Sequence, residues 1–281
     1  MELGPWFVKY GGHGTLEFEF KTHEYLFSQT FGDPSAPRIP RIVAYFTPQQ
    51  EWAYLVTERI DSITPADAAP EAVAEALQWL RRVPRPSGLT LGSVGGGLAL
   101  HEIFKDFKAP IPFSSAKALQ IYMNQALHRI RPKSRPAEMH YLDDPLIFTQ
   151  SDMDSSNFAL DKNKRICMFD FRDVGVLPES FASYTLGGSL DPFINNVAGY
   201  LGWIDDRNRN SVARAGAVLK TSSDATLGTS APTSNKIRTD TVDRSRYARH
   251  SQGLILACVC LCGFATLHAD SVSQSMPGTT S

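Results

Sequence analysis

The feature that most limits what this chain can fold into is a change of hydrophobic period at residues 61–70. Before it, apolar residues come in short runs broken by Pro and Gly, and after it they recur at helical spacing. Residues 6–10, Trp-Phe-Val-Lys-Tyr, read as a short strand, and the Gly11-Gly12-His13-Gly14 cluster that follows reads as a turn. Phe20, His23, Leu26 and Phe27 fit a helix over 19–29, and Pro34, Pro37 and Pro40 forbid its continuation, because proline lacks an N–H and fixes φ. Runs at 41–46 and 52–57 flank Thr47-Pro48-Gln49-Gln50 in the manner of a hairpin. The expected order of this first stretch is strand, helix, strand, strand.

Past the Pro, Ala and Asp-rich boundary the pattern predicts a helix over 71–82, then a Pro/Gly-rich loop over 84–97. Its Gly92-Ser93-Val94-Gly95-Gly96-Gly97 run lacks the Lys-Ser/Thr ending of a Walker loop and is expected to be a flexible loop near the substrate side. Ser114 or Ser115 is placed to cap a helix whose Leu119, Tyr122, Met123, Ala126, Leu127 and Ile130 form one apolar stripe. Two β-like runs, 146–149 and 166–169, bracket the polar segment 150–164. Beyond residue 228 the chain turns Ser/Thr-rich without periodicity, and a loose tail is expected. The partition is 1–60, 61–228 and 229–281, with an α+β fold class.

Lys plus Arg number 28 against 29 Asp plus Glu, so no net positive field draws nucleic acid or an anionic membrane. The apolar stretch 253–267 falls short of the ~20 residues a membrane-spanning helix needs. Cys167, Cys258, Cys260 and Cys262 match neither a disulfide scaffold nor a paired zinc motif, and no secretory signal is read at the N-terminus, so a reducing, cytoplasmic setting is expected. His101, His128 and His140 show no ligand spacing.

The chemistry is read at Asp152, with Asn157 five residues on and Asp170 beyond the next β-like run. Phosphoryl transfer needs a group that orients the accepting hydroxyl and oxygen ligands for a metal bridging the nucleotide phosphates. Asp152 suits the first task. Asn157 and Asp170 offer one neutral and one charged oxygen to Mg²⁺, a hard cation. The two β-like runs are expected to pair as a rigid hairpin that sets these groups side by side. Asp154 and Asp173 are read as loop or supporting acids. A rival reading makes Asp152, Asp154 and Asp170 the ligands of a hydrolytic metal.

Residues 148–158, Phe-Thr-Gln-Ser-Asp-Met-Asp-Ser-Ser-Asn-Phe, resemble the His-x-Asp-x-x-x-x-Asn catalytic loop of aminoglycoside phosphotransferase and choline-kinase-like proteins. Met168-Phe169-Asp170-Phe171 resembles their metal-binding Ile-Asp-Trp motif, and Gly175-Val176-Leu177-Pro178-Glu179 resembles the Gly-x-x-Pro-Glu that often follows it. Upstream, Phe7-Val8-Lys9-Tyr10 is similar to the strand whose Lys meets nucleotide phosphates, and Glu19 opens a helix like the one carrying its ion-pair partner, with Glu17 and Glu24 as competitors. Residues 53–58 are similar to the hinge strand, so the backbone at Glu58 and Ile60 would meet adenine. The resemblance implies a protein-kinase-like two-lobe fold with a reduced β-rich N-lobe and a mainly helical C-lobe. It also implies ATP and Mg²⁺ as cofactors and a small-molecule hydroxyl as acceptor. Gln150 stands where many relatives have His, and the strand-loop-strand cover that precedes the Lys strand in the family has no counterpart here, which leaves a catalytically silent ligand- or protein-binding pseudokinase as the alternative. Oligomeric state is not legible.

Overall fold

In the computed structural model the described residues are 2–49, 51–205, 207–221 and 224–228. They lie within Met1–Pro232, the first of two units into which the chain divides. The expectation of a loose tail over 229–281 falls outside the described residues.

The first part is a four-stranded antiparallel sheet with one helix laid against it. Strands β1 (Glu2–Leu3), β2 (Trp6–Gly12), β3 (Ile42–Gln49) and β4 (Trp52–Glu58) take the order β1-β2-β4-β3. Alternation along β4 buries Ala53, Leu55 and Thr57 and leaves the intervening residues more exposed, as a half-buried strand requires. Leu16 of helix α1 (His13–Gln29) packs on Ala53 and Leu55 to form a small core of its own. The glycine cluster does not make the expected turn. β2 runs through Gly12 and α1 begins at once with His13, whose N–H donates to the Glu51 carbonyl at 3.0 Å. Full pairing of 6–12 with β4 carries the strand to its last glycine, because ladder hydrogen bonds outweigh a weak strand propensity. Glu19 therefore sits inside the helix rather than opening it. Strands β3 and β4 do form a hairpin, with bulges that let it absorb Pro48.

The remainder is mainly helical: α2 (Pro70–Arg82), α3 (Ala116–His128), α4 (Glu179–Gly187), α5 (Pro192–Gly199) and α6 (Arg209–Leu219). Helix α2 starts on a proline at its first turn, where a missing N–H costs nothing, and ends on Arg81 and Arg82, which suit the negative end of the dipole. It buries Val73, Ala74, Leu77 and Leu80 in a core shared with Phe148, Met153, Phe158 and Met168. Each fully buried leucine there contributes about 1.5–3 kcal/mol. Helix α3 is capped by Ser115, whose Oγ accepts from the Ala118 N–H at 3.1 Å. Of the predicted stripe, Leu119, Tyr122, Met123, Ala126 and Leu127 are completely buried in a second core with α4 and α6, whereas Ile130 lies beyond the end of α3 and is only partly buried against that core.

Between the helices lie, among the described residues, five short strands: β5 (Ser62–Pro65), β6 (Leu146–Gln150), β7 (Phe158–Asp161), β8 (Ile166–Met168) and β9 (Val174–Pro178). The expected hairpin of 146–149 with 166–169 does not form. β6 pairs antiparallel with β9, while β8 pairs with β7, so the two runs belong to different sheets. Local geometry favours this: a tight turn at 161–165, with Lys164 at φ 61 and Lys164 N–H donating to the Asp161 carbonyl, joins β7 to β8. The sheet part is tied to this hairpin. Arg38 N–H donates to the Ile166 carbonyl at 2.7 Å, Met168 N–H to the Arg38 carbonyl at 3.0 Å, and the Arg38 guanidinium reaches both Glu58 and Asp161.

Candidate active site

Asn157 immediately precedes β7 and Asp170 lies two residues past the end of β8, so the hairpin brings both to one end. The Phe169 N–H donates to the Asn157 carbonyl at 2.9 Å, which closes that end. Asp152 follows β6, whose ladder with β9 positions it, and the Ser151 N–H donates to the Asp173 carbonyl at 3.1 Å. Asn157 turns its amide nitrogen back to the Asp152 carbonyl at 3.0 Å, fixing the loop between them. The three residues thus converge from two separate β pairs.

Gln150 braces this loop from within. Its side-chain oxygen accepts from the Asp152 N–H at 3.3 Å and its amide nitrogen donates to the Asp170 carbonyl at 3.4 Å. Both contacts are long, hence weak, and they span the two carboxylate positions. Asp170 itself has φ 50 and ψ 80, a left-handed conformation that few non-glycine residues adopt and that Asp reaches more readily because its short carboxylate bonds the nearby backbone. Here its carboxylate accepts from the Arg172 N–H and from Lys9.

Lys9 reaches this site from β2. Its Nζ donates to Glu19 at 2.7 Å and to Asp170 at 2.8 Å, across a sequence separation of 161 residues in the second case. Of the three acids on α1 weighed for this ion pair, Glu19 meets Lys9, while Glu17 pairs with Lys21 one helical turn on. Burial opposes the charge on Lys9, yet its two carboxylates hold its pKa above the ordinary range. Burial opposes ionisation of Asp170 as well, and Lys9 and Arg172 outweigh it, leaving a depressed pKa. Glu19 goes the other way: its side chain is only 3% exposed, and burial lifts its pKa to about 7 despite Lys9. Lys9 stays charged, because two carboxylates share it and Asp170 stays ionised.

Asp152 opens onto a cleft of about 310 Å³, lined also by Glu102, Asp154, Tyr184, Thr185 and Asp191. Burial and the neighbouring charge of Asp173 push the Asp152 pKa up, which improves it as a proton acceptor. Asp173 is buried and paired with Arg172 at 2.6 Å, and Arg172 also stands 3.9 Å from Asp152. Asp154 caps a 3-10 turn by accepting from the Ser156 N–H. The rival hydrolytic set of Asp152, Asp154 and Asp170 fails: among the described residues no group of three His, Cys, Asp or Glu side chains is arranged to hold a metal.

Glu102 and Thr185 of the cleft wall, and the fully buried His101 that Thr185 contacts, carry no signal in the sequence. The Ile103 N–H donates to His101 Nδ1 at 3.2 Å, so the ring proton sits on Nε2, which faces Thr185 Oγ1 at 3.0 Å and the Phe181 carbonyl at 3.3 Å. The Thr185 hydroxyl then points its proton to Glu102. Burial holds His101 neutral with a pKa of about 3. Nothing in the sequence relates 101–102 to 185; only the packing of α4 on the preceding loop does. Glu58 is the last residue of β4, and Ile60 lies two residues past it. The Glu58 N–H donates to the Arg41 carbonyl at 2.9 Å, so its amide is committed to the sheet, and Ile60 is half-buried just beyond.

No protein-family model matches the chain, and no curated protein matches it. Among solved structures it is similar to a thermostable mutant of aminoglycoside phosphotransferase APH(4)-Ia in ternary complex with AMP-PNP and hygromycin B, at 13% identity and TM-score 0.47, covering 78% of each chain. It is similar also to the GDP and kanamycin complex of APH(2")-IIia, at 13% identity and TM-score 0.48, covering 78% of this chain and 77% of the other. A third is ADP-bound aminoglycoside phosphotransferase APH(2'')-Ib, at 14% identity and TM-score 0.41, covering 75% and 74%.

Proposed function

We propose that the chain is a protein-kinase-like phosphotransferase that moves the γ-phosphate of ATP to the hydroxyl of a small molecule. The observation that supports this is the meeting of Lys9, Glu19 and Asp170 from three separate elements beside the Asp152–Asn157 loop. Lys9, kept charged and placed by Glu19, meets the nucleotide phosphates. Asn157 and Asp170 are oxygen donors that fit Mg²⁺, which supplies the charge that neutralises the phosphate oxygens. The backbone at Glu58 and Ile60 meets adenine, and because the Glu58 N–H is committed to Arg41, Ile60 provides the amide edge. The acceptor lies in the cleft of about 310 Å³, a size at the small end for ligand sites. There Asp152 takes the proton of the acceptor hydroxyl as its oxygen bonds to the γ-phosphorus and the bond to the β–γ bridging oxygen breaks.

One observation favours a second reading, a silent ligand-binding module. Lys9 is bound directly to Asp170, so the cation meant for phosphate and the acid meant for metal neutralise each other. Thermal unfolding with ATP, with and without Mg²⁺, separates the two. A phosphotransferase shows Mg²⁺-dependent nucleotide protection that Asp170→Ala abolishes and Asp152→Asn retains. Absence of protection by any nucleotide overturns the proposal and leaves the silent module.

A further inference from the structure

The glycine-rich run at 92–97 is not the loose substrate-side loop its composition suggests. It is packed between α1 and β9. On one side Gly92 exchanges both backbone hydrogen bonds with Val176, at 2.9 and 2.8 Å. Gly92 has φ +90, and a Cβ there would lie 2.4 Å from the Gly97 carbonyl oxygen, so the loop folds tightly back on itself. Gly175, opposite, would bring a Cβ within 2.9 Å of the Gly92 carbonyl oxygen.

On the other side the loop grips α1 within one turn of Glu19. The Val94 N–H donates to the hydroxyl of Thr22 at 3.1 Å, and Thr22 is fully buried. Gly97 lies against the ring of Phe18, where an added Cβ would come within 2.9 Å of Cγ. Against the sheet part, α1 packs through the small core of Leu16, Ala53 and Leu55, which is non-directional, and is pinned at its start by the His13 N–H on the Glu51 carbonyl at 3.0 Å and farther along by His23 Nε2 at 2.7 Å from the Pro40 carbonyl. One residue of helix rise is about 1.5 Å, whereas a charged hydrogen bond weakens over a few tenths of an ångström. A directional contact is needed to hold Glu19 at 2.7 Å from Lys9. Toward β9, where the His13 and His23 contacts do not reach, Thr22 and the glycine surface provide one.

We infer that the loop at 92–97 is the seat of helix α1, and that Gly97, Val94 and Thr22 are positioning residues that keep Glu19 on Lys9 while β9 continues from the segment carrying Asp170. Its importance for phosphoryl transfer rests on the reading given under Proposed function. The contact itself does not.

The test labels lysines of the full chain with an amine-acetylating reagent and follows each peptide by mass spectrometry. Lys9, bridged by two carboxylates, reacts slowly in the native protein compared with the exposed Lys117. Gly97→Ala pushes Phe18 and with it α1, and Thr22→Val removes the acceptor without adding bulk. Each is expected to raise the Lys9 rate several-fold relative to Lys117. The double variant Gly97→Ala, Phe18→Leu should return it to near the native rate. Thr22→Val decides the matter alone if Gly97→Ala fails to fold. An unchanged Lys9 rate in a folded variant overturns the inference, as does a rise that Phe18→Leu leaves in place. So does a parallel rise in thiol labelling of the buried Cys167, which would mark general loosening. No nucleotide is needed, so the role of the seat can be decided even in a chain that binds none.

Discussion

Replacing Lys9 by Met should destabilise the protein by an amount that depends on pH. Glu19 is 3% exposed and has a pKa of about 7 with Lys9 present. Without the cation its charge is uncompensated, and it takes up a proton in the folded state. The cost is bounded by protonating a carboxyl of ordinary pKa 4.5 at the working pH. At 1.36 kcal/mol per pH unit, that bound is about 5 kcal/mol at about pH 8 and about 1.4 kcal/mol at about pH 5.5. The sign follows from the raised folded pKa: between the two pKa values the folded state binds more protons, so stability falls as pH rises. Urea unfolding at both pH values reads the difference. The native protein, with Glu19 at about 7, already carries about 3.4 kcal/mol of that cost at the higher pH and all of it at the lower, so Lys9→Met should lose about 1.4 kcal/mol at the higher pH and close to nothing at the lower. The double variant Lys9→Met, Glu19→Gln should recover to within about 1 kcal/mol of the native protein at either pH, because a neutral isostere needs no cation. Equal losses at the two pH values, or no recovery with Gln, would refute the argument that Glu19 is buried beside Lys9.

Asp152→Asn should leave Mg²⁺-dependent nucleotide binding intact while turnover falls by about 10²–10⁴-fold, the usual range for a lost general base, as a phosphate-transfer assay with excess nucleotide would show. Gly92→Ala should cost about 1–3 kcal/mol in thermal or urea unfolding, because φ +90 and a carbonyl 2.4 Å from the new Cβ leave no strain-free position; a cost near zero would mean that the loop can move freely. His101 has a folded pKa of about 3 against an ordinary 6.5, so the unfolded chain protonates first and this residue's contribution to stability is lost as pH falls below about 6.5. His101→Gln should flatten the stability-versus-pH curve in that window, and an unchanged slope would place His101 outside the buried wall. Phe181→Ala, at a fully buried position between His101 and Tyr141, should cost about 3–5 kcal/mol in urea unfolding.

Periodicity alone located α2, α3 and the β3–β4 hairpin, since each depends on residues within one turn or one strand of each other. The Ser115 cap and the apolar stripe of α3 are local in the same sense, and their burial followed from spacing. The motif residues Asp152, Asn157 and Asp170 were likewise legible, because their separation is short enough for two β pairs to fix. What the sequence could not decide was pairing at a distance. A run such as 166–168 is equally suited to β6 or β7 as a partner, and only the turn at 161–165 and the ladder of β6 with β9 settle the choice. The glycines at 11–12 and 92–97 misled for a related reason: glycine permits a turn but equally permits close backbone approach, and tertiary neighbours select between these. The link from Lys9 to Asp170 spans 161 residues and exists because the sheet and the β7–β8 hairpin are brought together through Arg38. Local chemistry determined which groups this chain carries. Long-range packing, which closes large loops for the reward of many buried contacts, decided which of them meet.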